Sequence, residues 1–278
     1  MSRLDDSLVN RAAPAGSMRY FSLLYAPEEK RDQLCALYVI DAEIRESAQS
    51  ANHDVAHTRL QWWRAEVDRL VNGNPQHPAT RVLNDAQPAE RAVFGKLHEA
   101  LVAADMDLAR MTYSNMRELR AYCSRSGGAI QELMAAQLVA PASLDDANRA
   151  TANRLGIGVR ESEILRDLRQ DAYQGRVYLP QDRLAEHHVT LEDLRNREVA
   201  PRLKGALHEY RDAVQDELQS ALGAASAQLR PLAVLAALHR RLLDRIAAHD
   251  YDVATSRIEL GPIEKPWVAW RAARRHAS

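Results

Sequence analysis

Arg160-Glu161-Ser162-Glu163-Ile164-Leu165-Arg166-Asp167-Leu168-Arg169-Gln170-Asp171 runs straight into Ala172-Tyr173-Gln174-Gly175-Arg176-Val177-Tyr178-Leu179-Pro180. The first of these stretches has no Gly or Pro and reads as helix. At about 100° per residue, Glu163, Asp167 and Asp171 fall in one arc. Ile157, Ile164 and Leu168 form the neighbouring apolar stripe. Three carboxylates therefore sit beside a buried face, at a spacing where like charges repel. A divalent cation would relieve that repulsion. Oxygen donors one helical turn apart suit Mg²⁺, which keeps several waters and shares phosphate oxygens with a substrate. Gly156, on the same arc, would leave room for a ligand. The competing reading is a solvated face on which Arg160, Arg166 and Arg169 pair with these acids.

Outward from this helix the text stays helical. The chain has 278 residues, 46% hydrophobic, with only 11 Gly and 11 Pro, so long stretches lack breakers. Helices are expected over 26–49, 58–71, 90–111, 118–138, 146–172, from 181, and over 191–196, 201–222 and 229–251. An interruption is expected at Gly127-Gly128, and Asn72-Gly73-Asn74-Pro75 is a breaker cluster. Short connections between long helices describe one bundle-like domain over 1–278, with 1–18 as a flexible arm.

Charge and cysteine usage exclude several classes. The 37 basic and 38 acidic residues nearly cancel, which argues against a nucleic-acid surface. Cys35 and Cys123 lie in helical apolar text and read as reduced thiols of a cytoplasmic protein. The first residues have no apolar signal core, and no stretch reaches the length of a membrane span. Peripheral membrane contact stays open, because the tail from 258 is basic and carries Trp267 and Trp270. That tail is equally compatible with docking back on the domain. No phosphate-binding glycine loop, C-x-x-C or nucleophile elbow is present.

The order Leu165-Arg166-Asp167…Asp171…Gly175-Arg176…Tyr178-Leu179-Pro180 resembles the second signature of squalene and phytoene synthases. Ala36-Leu37-Tyr38, Tyr122-Cys123 with Gly127-Gly128, and Lys265-Pro266-Trp267…Arg271-Ala272 are similar to other parts of that family's pattern. The likeness extends from about Arg19 to Arg275. It implies an all-α isoprenoid synthase-type bundle with a central cavity. It also implies Mg²⁺ bridging a prenyl diphosphate, such as farnesyl or geranylgeranyl diphosphate, to two facing aspartate motifs. Asp167 and Asp171 would be the metal ligands, assisted by Glu163 and Glu46. Arg45, Arg166 and Arg176 would meet the diphosphate, and Tyr122 and Tyr178 would line the cavity. Ionising a diphosphate needs concentrated positive charge, and the resulting cation needs a dry apolar cavity.

The first acidic motif departs from this pattern. Aligned from Tyr38, its two end aspartates become Arg45 and Gln49, and only Glu46 remains acidic. Asp41 and Arg45, at i,i+4 with opposite signs, form a pair expected to satisfy itself. In the second motif the usual Asn is Glu163. A further stretch, Arg59-Leu60-Gln61-Trp62-Trp63-Arg64 followed by Asn74-Pro75-Gln76-His77-Pro78, resembles the non-catalytic branch of the fold. That branch includes a mitochondrial assembly factor for a respiratory complex. Two functions are therefore carried forward: a Mg²⁺-dependent prenyltransferase, and a non-catalytic assembly factor with a protein partner.

Overall fold

The structure, a computed structural model, describes residues 4–139, 144–196, 198–255 and 257–276. Among them no strand occurs, as the breaker-poor sequence requires. Two short helices come first, α1 (Asp6–Ala12) and α2 (Met18–Leu23). They cover part of the stretch read as a flexible arm; Asp5 caps α1 by accepting from Ser7 N, and α1 lies against the next helix. That helix is α3 (Glu28–Ala48), followed by α4 (His53–Val71), α5 (Pro78–Ala86) and α6 (Leu97–Leu108). A short helix, α7 (Met116–Cys123), passes through a π turn (Ser124–Gly128) into α8 (Ala129–Leu138). The long α9 (Asp146–Tyr173) carries the acidic stretch. Then come α10 (Gln181–Glu186), α11 (Leu191–Arg195), α12 (Pro201–Ala224), α13 (Arg230–Ala248) and α14 (Glu264–Arg275).

Two boundaries differ from the sequence reading for local reasons. α4 begins five residues before the expected Thr58, because the Asn52 side chain accepts from the backbone N–H groups of Asp54 and Val55. α5 was hidden in the breaker text. Pro78 is its first residue, where a missing N–H costs nothing, and the His77 ring caps it through Ala79 N.

The packing places α9 at the centre. It contacts α7, α8, α11, α12 and α13, while α3 contacts α4, α5, α6 and α8. α8 and the π turn thus join the α3 side to the α9 side. The junction is a backbone contact: a Cβ on Gly127 would lie 2.4 Å from the Gly156 carbonyl oxygen, and one on Gly156 2.5 Å from that of Gly127. The space that Gly156 makes is therefore taken largely by a neighbouring helix. Among the described residues no helix is long and apolar enough to cross a membrane.

Candidate functional site

A cavity of about 370 Å³ opens among α3, α8, α9 and α13, rimmed by residues 257–260 and Lys265. This volume suits a small-molecule site. Ile130, Val159, Leu235, Leu242, Ile258 and Leu260 make much of its wall apolar, while Arg19, Asp41, Arg45, Glu163 and Arg166 charge another part of it. A second cleft of about 200 Å³ is lined by Gln49, Asp107, Arg160, Asp167, Gln170, Asp171 and Tyr178. Arg45, Glu163, Arg166 and Arg257 line both spaces and so partition them.

Arg45 is the centre of that partition. Its Nε donates to Asp41 at 2.8 Å, as the i,i+4 spacing predicts, but its Nη1 also reaches across to Glu163 at 2.9 Å. The pair is therefore not self-contained. Arg19 supplies Asp41 with a second partner at 2.7 Å, and Arg160 adds a weaker contact to Glu163 at 3.5 Å. Burial alone would raise the Glu163 carboxyl. Arg45, Arg166 and Arg160 outweigh it and hold the group well below the usual carboxylate range. Burial likewise works against the Arg45 charge, yet Asp41 and Glu163 hold its pKa above the ordinary arginine value.

Further along α9 the neutralisation persists at Asp167, which Arg166 grips with both Nε and Nη2, and weakens at Asp171. Asp167 accepts from Arg166 Nε at 2.9 Å and meets Arg257 at 3.4 Å. Asp171 has Arg176 at 3.6 Å, a long ion pair, and its side chain is only 14% exposed. Burial pushes its carboxyl up to about 6, against the pull of Arg160 and Arg176. The competing reading holds in part: Arg160 and Arg166 do pair with Glu163 and Asp167, but the face is largely buried rather than solvated, and Arg169 turns to Tyr173.

The tyrosines stand beside this end. Tyr178 donates to Asp107 Oδ1 at 2.7 Å and Tyr122 to Asp107 Oδ2 at 3.1 Å. Their rings lie 5.4 Å apart, and the Arg160 guanidinium lies over both at 5.6 and 5.2 Å. Tyr178 lines the polar cleft, and the buried Tyr122 packs behind it.

Of the residues expected at the site, α9 and the 176–178 segment bring Glu163, Arg166, Asp167, Asp171, Arg176 and Tyr178 together with Arg45 and Tyr122. Glu46 falls elsewhere. One position after Arg45 means about 100° of rotation. Glu46 therefore pairs with Arg11 and lines a surface pocket with Glu43, Arg59, Trp62, Trp63 and His77. Trp63 in that pocket is core and Trp62 is 41% exposed, as two adjacent helical positions must be.

Four neighbours went unread in the sequence. Asp107 was legible in principle, as an acid ending the apolar text of α6. So was His239, which interrupts the Leu232, Leu235, Leu242, Ile246 stripe of α13 and lines the cavity. Its Nδ1 is buried without a hydrogen-bond partner, and burial lowers its pKa to about 4. Arg19 and Arg257 carry no local signal; only the tertiary fold brings them near.

Comparison with known proteins bears on the family and the fold. Residues 12–264 match the family model described as squalene/phytoene synthase. The chain is 28% identical over 258 residues to phytoene synthase 1, chloroplastic, of Arabidopsis thaliana, covering 88% of this chain and 60% of that protein. It is also 28% identical over 254 residues to 15-cis-phytoene synthase of Synechococcus elongatus, covering 86% and 82%. The chain thus spans less than two thirds of the length of the plant protein. Among solved structures, a dehydrosqualene synthase in complex with a ligand superposes with a TM-score of 0.85 at 16% identity, covering 97% and 95% of the two chains. Squalene synthase HpnC from Alicyclobacillus acidocaldarius follows at 0.72 and 20%, covering 88% and 92%. These likenesses establish the all-α fold.

Proposed function

Because the chain belongs to the squalene/phytoene synthase family, we propose that it binds a prenyl diphosphate and ionises or condenses it. The observation that carries the reading is the junction of the two spaces. An apolar cavity able to take an isoprenoid chain abuts a cleft where Arg45, Arg166 and Arg257 converge with Asp167 and Asp171. The chain lies in the cavity and the diphosphate at the partition. Arg45 and Arg166 are fixed cations for its oxygens, and Arg257, half exposed, closes on it from the rim.

The fit to Mg²⁺ is one-sided. Asp167 and Asp171, one turn apart, suit an ion that completes its shell with phosphate oxygens and water. On the α3 side, Arg45 and Gln49 face the cleft without a carboxylate. Among the described residues no group of three or more His, Cys, Asp or Glu is arranged to hold a metal by itself. Bound there, Mg²⁺ would supply Lewis-acid charge to the leaving group. The residues do the remainder. Arg45 faces those aspartates from the α3 side as a charge that cannot dissociate. Ile130, Val159, Leu235 and Leu242 keep water from the allylic cation, and the Tyr178 and Tyr122 hydroxyls hold Asp107 in place.

Purified protein given Mg²⁺ and farnesyl or geranylgeranyl diphosphate is expected to release pyrophosphate. The Asp167→Ala/Asp171→Ala variant is expected to lose about a hundredfold or more of that rate. Absence of release, together with an intact biological role in the double variant, would sink the reading. A second reading takes support from the same arginine. With Arg45 held by Glu163 and Asp41, the fold could serve as a non-catalytic assembly factor, its partner meeting the pocket around Trp62 and His77.

A further inference from the structure

The closing helix has two unlike faces. Ala269, Ala272 and Ala273 are buried, and the helix packs on α13 and α2. Small side chains there let the backbones approach. The opposite face holds Ile263 at 84% exposure, Trp267 at 58% and Trp270 at 42%. Spacings of four and three residues put these on one stripe. The indole rings stack at 5.1 Å, and Arg274 lies over Trp270 at 5.0 Å. Arg271, Arg274 and Arg275 are all exposed beside them.

The charge around this stripe is one-sided. Nearby acids are already occupied: Glu264 accepts from Arg241 at 2.6 Å and Arg245 at 3.1 Å, and Asp244 from Arg211 at 2.6 Å. What remains toward solvent is a stacked tryptophan pair, an isoleucine and an arginine cluster. Indoles suit a boundary where one side is apolar and the other wet, and arginines beside them suit anionic headgroups. The segment that leads into this helix supplies Leu260 to the cavity rim, and the helix's own first turn supplies Lys265.

We propose that the exposed face of α14 docks on an anionic lipid bilayer and sets the cavity rim against it. Docking inserts Trp267, Trp270 and Ile263 at headgroup depth while the arginines meet phosphates. A consequence, which rests on the preceding reading, is that an apolar product leaves the cavity into lipid rather than water. The docking itself does not depend on catalysis.

The test is flotation of the full chain with phosphatidylcholine vesicles, with and without phosphatidylglycerol, while tryptophan emission is recorded. Binding at least tenfold stronger to the anionic vesicles, a blue shift of emission and weakening by salt are expected. Trp267→Ser/Trp270→Ser should abolish the blue shift and weaken binding at least tenfold. Arg271→Gln/Arg274→Gln/Arg275→Gln should weaken it on the order of a hundredfold, at about fivefold per charge. These side chains are exposed, so both variants should keep the parent's thermal midpoint and pyrophosphate release. Equal binding to both vesicle types, no binding to either, or unchanged binding of both variants would overturn the proposal. So would a lipid-free dimer that the tryptophan variant dissociates, in a chain that ignores vesicles. Pyrophosphate release measured without lipid reports on the preceding reading alone, so the two can fail separately.

Discussion

Glu66 on α4 is a fully buried carboxylate and Asp171 on α9 a largely buried one, and their surroundings send them in opposite directions. Glu66 accepts from the backbone N–H groups of Gln76 and His77, each at 2.8 Å, from the Thr80 hydroxyl, and from Arg69. Burial would raise its pKa, but these bonds outweigh burial and lower it. Asp171 has one long ion pair, and burial prevails. A saturated carboxylate is a structural pin; Glu66 ties the 74–80 connection to α4. An under-neutralised one holds unfavourable free energy that a bound cation can release. Both are acids in helices, so residue type does not separate them; the donors around each do.

Removing the pin should have the largest effect. Glu66→Ala leaves the Gln76 and His77 backbone donors without their acceptor, at about 1–3 kcal/mol for each buried group left unpaired, while the Thr80 hydroxyl keeps the His77 carbonyl and Arg69 reaches solvent. A loss on the order of 4 kcal/mol in unfolding free energy is expected by denaturant titration. Its pH dependence follows from the lowered pKa. The stabilisation is present above the unfolded value, near 4.5, and disappears as pH falls through the folded one. A loss under 1 kcal/mol would mean that the connection is held by something else.

The same contrast marks what could be read without coordinates. The acid arc of α9 was legible because helical periodicity alone aligns Glu163, Asp167 and Asp171. The fold was legible because breakers are rare and the order of motifs is specific. The role of Glu66 was not, since its donors come from a segment that reads as loop until Pro78 is seen as a helix start. Arg45 was half legible. Its bond to Asp41 follows from spacing, whereas its bond to Glu163, 118 positions away, exists only once α3 and α9 face each other. Glu46 was misplaced because an acidic residue was sought in the motif and the helical phase at that position was not weighed.

Neutralising the under-paired acid should act with the reverse sign. A shift from 3.8 to about 6 corresponds to about 3 kcal/mol at roughly 1.4 kcal/mol per unit. Asp171→Asn should therefore raise stability at pH 7 by about 2–3 kcal/mol while lowering pyrophosphate release and Mg²⁺ dependence. The folded state holds the extra proton between about pH 4 and 6, so the parent loses stability as pH rises through that window. The gap between variant and parent should be absent at pH 4 and complete above 6. A variant that is less stable at pH 7 would mean that the ion pair with Arg176 outweighs burial.

Asp107 lies between the two extremes and gives the finest test. It is held by two tyrosine hydroxyls, at 2.7 Å from Tyr178 and 3.1 Å from Tyr122. Tyr178→Phe removes one donor and leaves the other, with ring volume and stacking unchanged. A loss of about 1 kcal/mol is expected from thermal or denaturant unfolding. Tyr122→Phe should cost a similar amount and also strip Arg160 of its 2.9 Å acceptor. If the contrast between pinned and under-neutralised acids is sound, the double variant should exceed the sum of the singles, because Asp107 then passes from the first class to the second. Its carboxyl would then stand in the cleft with neither tyrosine donor. Additive losses would show that water replaces the hydroxyls, and that saturation by protein donors is not what separates the two kinds of acid.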